Sequence, residues 1–367
     1  MNFRFGIEHE VGFLRPDGQF ADFTNTEFEE FEAMVAQLPQ YADDYPQLRI
    51  GDAGIKVKRW YIEGFERFSE TGTLVGCAPK GIEIRTTIHD SIEGAIAELT
   101  TSYHQLQQVA QAAGFIPALT SFNPHQLRFE PIPPLNTYEQ QRRNSSPEKQ
   151  TAAIPMITYG PDLNLSATGL STAQLIECGQ KLTYYSPFII PFSYSSPFSQ
   201  SSCWGGLSMR TFQRTGRRPA AMIFLEKSTD LLATQPSLTK IARLPAEIGR
   251  IEFKAFDSCG DFALYSSLLA LLKGLILDTG LTGRAAIPDT ALHQRSAQLG
   301  FADEEIYITA AVALTAAEKA LACDRDQTKL APLKKMLSER KSPAQTMIAQ
   351  FQQRESLHQI LKTAYSP

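Results

Sequence analysis

The chain has 367 residues, 43% of them apolar and 20% charged, with a formal net charge of −4. That composition belongs to a globular protein able to bury a large core over about one to three domains. The acidic balance argues against a nucleic-acid partner, since no basic run exceeds short clusters such as Arg142-Arg143 and Arg214 to Arg218, which read as solvated loop charge.

Met1 to Phe5 lead directly into a strand without a signal-type apolar stretch. The longest apolar segment, Ala263 to Leu277, is interrupted by Tyr265, Ser266, Ser267 and Lys273, so no membrane span is expected. Cys77, Cys178, Cys203, Cys259 and Cys323 are scattered and lack Cys-x-x-Cys spacing. A reduced cytoplasmic compartment is the expectation.

Residues 3 to 14 alternate as a strand, followed by the turn Pro16-Asp17-Gly18. Phe28, Phe31, Met34 and Leu38 give Glu27 to Leu38 helical spacing. The stretch 55 to 68 reads as sheet, Gly81 to Ile88 as a strand, and Ser91 to Ala113 as a long helix ended by Gly114. Pro117 to Gln150 is rich in Pro, Asn, Gln and Ser, fitting a linker, a lid or an irregular wall. Ile154 to Ser166 reads as a strand, Thr172 to Phe188 as a helix ended near Pro187, and 193 to 208 as a loop. Ile248 to Asp257 reads as a last strand, and the chain after Asp261 as mostly helical. The fold class is therefore α+β, with a core over 1–260 and a helical subdomain over 261–367 packed on it as a single unit.

Three predicted strands carry the chemistry: Ile7-Glu8-His9-Glu10, Ile82-Glu83-Ile84-Arg85 and Ile251-Glu252-Phe253-Lys254. Side chains two apart share a strand face, so Glu8 joins Glu10, Glu83 joins Arg85 and Glu252 joins Lys254, while His9 faces the other way. Carboxylates on core strands are costly unless paired or bound to metal. Glu8 and Glu10 repel each other unless a cation sits near, and Mg²⁺ suits such oxygens. The competing readings are a solvent-facing strand for Glu8/Glu10 and same-strand ion pairs for the other two. Asp162 and Asn164 share a face of the strand before them. The loop Ser195 to Arg210 offers backbone N–H groups at Gly205, Gly206 and Ser208 for an anion, and Arg210 for a carboxylate. No P-loop, Rossmann fingerprint, nucleophile elbow or His-Glu-x-x-His helix is present.

In this order the segments resemble the glutamate–cysteine ligase family, in its bacterial carboxylate–amine ligase branch. Phe5-Gly6-Ile7-Glu8-His9-Glu10 resembles the opening Gly-x-Glu-x-Glu strand, and Gly81 to Thr86 the second Glu-bearing strand. Leu119 to Pro124 stands loosely for a Gly-Thr-His-Pro turn. Tyr159 to Asn164 stands for a Gly-x-His-Val-His-Val strand with both histidines replaced. Ser195-Ser196-Pro197-Phe198 is similar to the Ser-Ser-Pro-Phe loop, and Gly205 to Arg210 to the Gly/Ser/Arg stretch beyond that loop. Arg250 to Asp257 is similar to the Glu-x-Arg-x-x-Asp strand, with Lys254 in place of arginine, and Ser342-Pro343-Ala344 to the start of the terminal helix.

The resemblance implies a curved antiparallel sheet of glutamine synthetase type, flanked by helices, whose concave face binds ATP and Mg²⁺. It implies metal positions at Glu8, Glu10, Glu83, Glu252, Asp162 and Asn164. Arg85, Lys254, Gly205, Gly206 and Ser208 would meet the nucleotide, and Glu252, Lys254 and Arg210 would act in catalysis. The implied reaction phosphorylates a carboxylate with ATP and lets an amine displace phosphate from the acyl phosphate. The acid would be glutamate and the amine cysteine or another amino compound, as in glutathione biosynthesis, with no nucleic-acid or membrane partner and with a homo-oligomer compatible. Two other readings stay open: a ligase-fold protein that binds nucleotide or amino acid without turnover, and a metal-dependent phosphodiesterase.

Overall fold

The structure is a computed structural model describing residues 1–41 and 59–366. Strand β1 (Phe3–Leu14) is its spine: Phe3, Phe5, Ile7, His9 and Val11 are buried on one face, and the alternation turns Glu8 and Glu10 to the other. After the expected turn, β2 (Phe20–Ala21) pairs with its far end, and α1 (Phe28–Val35) starts on a capping box between Glu27 and Glu30. β3 (Trp60–Phe68) and β4 (Leu74–Arg85) form a long hairpin. Residues 55–58 of the expected strand lie outside the described residues. β4 begins well ahead of Gly81 and stops at Arg85. α2 (Ile92–Ala112) is capped by Ser91, whose hydroxyl accepts from the Gly94 amide, and Gly114 follows it at a φ of 82°.

The Pro- and Ser-rich stretch is a structured wall, containing β5 (Ile116–Ala118), α3 (Thr137–Arg143) and α4 (Pro147–Gln150). The strand expected from Ile154 is shorter: Pro155–Ile157 make a 3-10 turn, and only β6 (Pro161–Ala167) is extended. α5 (Thr172–Ile189) matches the expected helix to within one residue at its end and carries Pro187 inside its last turn. Proline has no N–H for the Thr183 carbonyl, and the Ser186 hydroxyl donates to that oxygen instead at 2.7 Å. β7 (Phe198–Ser199) and β8 (Ser202–Cys203) make a small hairpin before α6 (Met209–Arg214). β9 (Ala221–Leu225), β10 (Thr239–Ile241) and β11 (Ile251–Phe253) follow, β11 being shorter than expected, so that Lys254 lies just past its end. The remainder is helical, as expected: α7 (Phe262–Leu277), α8 (Thr290–Leu299), α9 (Glu304–Ala320), α10 (Ala331–Ser338), α11 (Pro343–Gln352) and α12 (Leu357–Thr363).

Among the described residues nine strands form one sheet in the order β10-β9-β11-β6-β1-β4-β3, with β2 and β5 on the far end of β1. It is mixed, not purely antiparallel: the chain crosses over after β9 and re-enters from the same end, so β10 runs parallel to β9. At Gly81 a Cβ would lie 2.3 Å from the Val11 carbonyl oxygen, so glycine lets β4 cross β1 closely, and register shifts in the β3–β4 pair add curvature. The sheet thus presents a concave polar face.

Helices cover the convex face. α7 is buried on nearly every side, and its leucines pack against the sheet and α9. Each such side chain contributes about 1.5–3 kcal/mol on burial. Its one cation, Lys273, is satisfied by Asp324 and Asp326, each at 2.7 Å. His9 sits in this layer, fully buried, between the Tyr265 hydroxyl at 2.9 Å and the Tyr365 hydroxyl at 3.0 Å. All five cysteines are free. Among the described residues no helix is long and apolar enough to cross a membrane.

Candidate active site

Strand register gathers the charged residues. Along β1, Glu10 stands opposite Glu83 and Glu8 opposite Arg85 on β4, while on the other side Glu8 stands opposite Asp162 of β6. Glu252 of β11 faces Asn164 across the next ladder. Like charges directly opposite are unfavourable, so the Glu10–Glu83 pair must be held by something else. β3 adds Glu63. The carboxylates form two triads, Glu8/Asp162/Glu252 and Glu10/Glu63/Glu83, the ligand oxygens of each lying within 4.8 Å of one another.

Both triads line one cavity of about 360 Å³. Arg85, Arg210, Arg214, Arg218, Lys240, Arg250 and Lys254 line it too, so acids and bases face it in near-equal number. A second groove of about 510 Å³ adjoins it, shares Tyr61, Glu148, Arg218 and Lys240, and adds Arg142, Arg143 and Lys149. Arg85 lies over the Tyr61 ring at 3.9 Å and pairs with Glu83 at 2.6 Å. Arg250 reaches Glu8 at 3.5 Å, Glu247 at 3.4 Å and Glu252 at 3.8 Å. Lys254 bonds Asp162 and lies 3.1 Å from Glu252.

Burial pushes Glu83 well above the usual carboxylate range, with Glu63 adding repulsion against the pull of Arg85. Burial raises Glu63 as well, and Glu10 adds to it. Burial lifts Asp162 to about 6 although Lys254 opposes it. Burial would also raise Glu252, but Lys254 and Arg250 outweigh it and hold the group at about 2. Burial pushes Arg214 well below its ordinary value, and Arg210 and Arg218 push the same way. Among the described residues Arg214 and Arg218 make no ion pair: Arg214 donates to the Pro219 carbonyl, and Arg218 to the Glu148 carbonyl and the Thr151 hydroxyl. A wall of guanidinium groups without carboxylate partners suits an anionic ligand.

The structure brings together most of the residues singled out from the sequence: Glu8, Glu10, Glu83, Arg85, Asp162, Arg210, Glu252 and Lys254 all line the cavity. Asn164 stands behind them, buried, its amide N–H directed at Glu8 at 3.3 Å and its Oδ1 without a partner. Gly205, Gly206 and Ser208 are not among the lining residues. Ser208 instead caps α6 and donates to the buried Asp257 at 3.0 Å. The solvated reading of two basic clusters holds for the exposed Arg217 but not for the rest: Arg214 is buried, Arg142 pairs with Glu66 at 2.8 Å, and Arg143 lies on the Phe65 ring at 3.9 Å.

Sequence reasoning overlooked Glu63, Lys80, Arg214, Arg218, Glu148, Lys240 and Glu247. Arg210 and Arg214, four apart, share a face of α6, a helical signal that was present, whereas Arg218 lies beyond the helix end and carries none. Lys80 carries none, because its ammonium reaches Glu10 at 2.9 Å and the Pro155 and Thr158 carbonyls only through the folded chain.

No protein-family model matches the sequence, and no curated protein does. Solved structures do. A bifunctional glutathione synthetase from Pasteurella multocida superposes with a TM-score of 0.59 at 12% identity, over 99% of this chain and 52% of that one. The glutamate–cysteine ligase of Francisella tularensis, in complex with AMP, gives 0.55 at 11% identity over 99% and 88%. The ligase PafA, in complex with the prokaryotic ubiquitin-like protein Pup, gives 0.54 at 12% identity over 98% and 72%. The fold is that of the carboxylate–amine ligases. This chain spans about half the length of the Pasteurella protein. That fold accounts for the curled sheet with helices on one face.

Mg²⁺ and ATP fit this cavity on its own chemistry. The triads offer hard carboxylate oxygens, with Glu10 repelling Glu63 and Glu63 repelling Glu83, and Arg214 and Arg218 on the same cavity offer guanidinium groups without an ion pair among the described residues.

Proposed function

We propose that this chain is an ATP- and Mg²⁺-dependent carboxylate–amine ligase that joins a small acid to an amine through an acyl phosphate. The observation that carries the proposal is the pair of carboxylate triads facing Arg210, Arg214 and Arg218 across one cavity. A carboxylate is a poor electrophile, and phosphorylation converts it into one that an amine can attack. Such chemistry depends on positioning and charge neutralisation more than on a side-chain nucleophile. Mg²⁺, when bound, supplies charge neutralisation between carboxylate and phosphate oxygens.

Glu10, Glu63 and Glu83 would hold that ion, with Glu8, Asp162 and Glu252 forming the second acidic group. Arg210, Arg214 and Arg218 bind anionic oxygens of the ligands. Arg85 and Arg250 fix the carboxylates at the cavity floor. Glutamate as the acid and cysteine or another amino compound as the amine are the finer reading, supported by the motif resemblance, with a cytoplasmic setting supported by the scattered free cysteines.

The test is incubation with ATP, Mg²⁺, glutamate and a panel of amines, read by ADP release and product mass. Amine-dependent ADP and a matching amide are expected; neither appearing with any amine would remove the proposal. Binding without turnover is the rival reading, favoured by the Lys254–Asp162 bond inside one triad. Calorimetric ATP binding with no ADP under any condition would select it.

A further inference from the structure

The two triads are not equivalent. In Glu8/Asp162/Glu252, one ammonium stands among the oxygens: Lys254 Nζ bonds Asp162 Oδ2 and lies 3.1 Å from Glu252 Oε2. The topology places it there. Glu252 and Lys254 sit two apart on one backbone, and Glu252 faces Asn164, so the next residue on the same face comes level with Asp162, itself opposite Glu8. Glu8 and Glu252 are further neutralised by Arg250, and Asn164 turns its amide N–H, not its oxygen, to Glu8.

In Glu10/Glu63/Glu83 no ammonium is lodged between two acids in this way: Lys80 reaches Glu10 alone of the three, and the guanidinium Arg85 Nη2, 2.6 Å from Glu83, lies 3.8 Å from Glu63. Lys80 spends its three donors on Glu10 and on the Pro155 and Thr158 carbonyls, and Arg85 directs both its Nε and its Nη2 to the one oxygen Glu83 Oε2. A compact, strongly hydrated ammonium is a point charge with three donors, the closest side-chain substitute for a small hard cation. A divalent ion entering beside it would meet both its repulsion and the loss of its bonds.

We infer that Lys254 is a tethered cation that takes the place of a metal ion at Glu8/Asp162/Glu252, leaving Glu10/Glu63/Glu83 as the triad open to one. The inference rests on the ligase reading for the cavity's purpose, but its test does not depend on turnover. The ammonium holds Asp162 and Glu252 at a fixed spacing without exchanging with solvent, so this half of the site is assembled before any metal binds.

The experiment is Mn²⁺ binding to the full chain without nucleotide, counted by electron paramagnetic resonance of free Mn²⁺ and by calorimetry. Wild type and Asp162→Asn should bind the same number of ions, and Lys254→Gln should bind one more, lost again in Lys254→Gln/Asp162→Asn. Loss of an ion from Asp162→Asn alone, or no gain in a folded Lys254→Gln, would overturn the inference. Asp162→Asn keeps the test decisive if Lys254→Gln does not fold. Failure of the ligase reading shows separately, as an absence of amide in the ADP and product-mass assay whatever the ion count.

Discussion

The guanidinium of Arg210 lies against the bare Cα of Gly160, where a Cβ would sit 2.2 Å from Nη2 and 2.4 Å from Cζ. Arg210 in turn donates to the Lys254 and Ala255 carbonyls at 2.9 and 3.1 Å, so one side chain ties α6 to the end of β11 and meets the turn into β6. Gly160 also donates its N–H to Glu10 at 2.9 Å. Gly160→Ala should therefore displace Arg210 while leaving every charge in place. Overpacking of this kind destabilises by about 1–3 kcal/mol. Misplacing the guanidinium should cost about a hundredfold in kcat/KM at most and clearly more than tenfold. Urea unfolding beside the ADP assay checks both, and unchanged kinetics in Gly160→Ala would remove Arg210 from the ligand wall.

Asp257 anchors the same wall from behind. It is fully buried and accepts from the Ser195 amide at 3.0 Å, the Ser196 hydroxyl at 2.7 Å and the Ser208 hydroxyl at 3.0 Å, with Arg210 at 4.0 Å. Asp257→Ala leaves several buried donors unpaired, each costing about 1–3 kcal/mol. We expect a large loss of stability in Asp257→Ala and a smaller one in Asp257→Asn, which keeps an acceptor. Equal midpoints for the two variants in a urea titration would contradict the hydrogen-bond account.

Much of this architecture is written in local pattern. Period-two alternation marks Glu8, Glu10, Glu83 and Glu252 as sharing faces, and the fold turns those faces inward. What local pattern cannot carry is pairing across strands. Glu63 belongs to a triad because β3 lies beside β4, and nothing within Trp60–Phe68 announces that partner. The parallel β9–β10 pair likewise depends on the crossover after β9, which neither short strand encodes. Gly205, Gly206 and Ser208 suggested an anion loop by composition, yet Ser208 serves a helix cap and Asp257. Composition identifies loops that can bind anions, and only the surrounding chain decides whether they face a ligand.

Lys80 shows how a buried cation can hold an acid of the Glu10/Glu63/Glu83 triad. Its side chain is 1% exposed and its ammonium makes three bonds, one of them to Glu10. Lys80→Met keeps the volume of the stem but strands the Thr158 carbonyl and removes the buried cation from Glu10, whose oxygen keeps the Gly160 N–H. Breaking such a pair from one side costs about 3 kcal/mol. A variant as stable as wild type in chemical denaturation would show that Glu10 needs no buried partner. A stable but inactive variant would instead place Lys80 among the groups that orient Glu10.

Two buried histidines set the acid limb of stability. Burial lowers His293 from 6.5 to about 4 and His9 from 6.5 to about 3. Both stay neutral in the native chain, His293 donating from Nδ1 to the Asp289 carbonyl, with its Nε2 beside the Ser186 hydroxyl. Their contribution is fully present above the unfolded value and falls as pH drops, because the unfolded chain takes protons that the native chain refuses. The slope is about 1.4 kcal/mol per pH unit for each histidine once pH is well below 6.5. Glu63, Glu83 and Asp162 act with the opposite sign, since burial raises their values and the native chain gains protons first. A single pH titration therefore mixes the two, and a comparison separates them. The stability difference between wild type and His293→Gln should shrink by about 1.6 kcal/mol between pH 6.5 and pH 5, because the variant has lost one of the two titrating rings. A difference that stays constant across that window would mean that His293 titrates alike in the folded and unfolded chain, against its burial between α5 and α8.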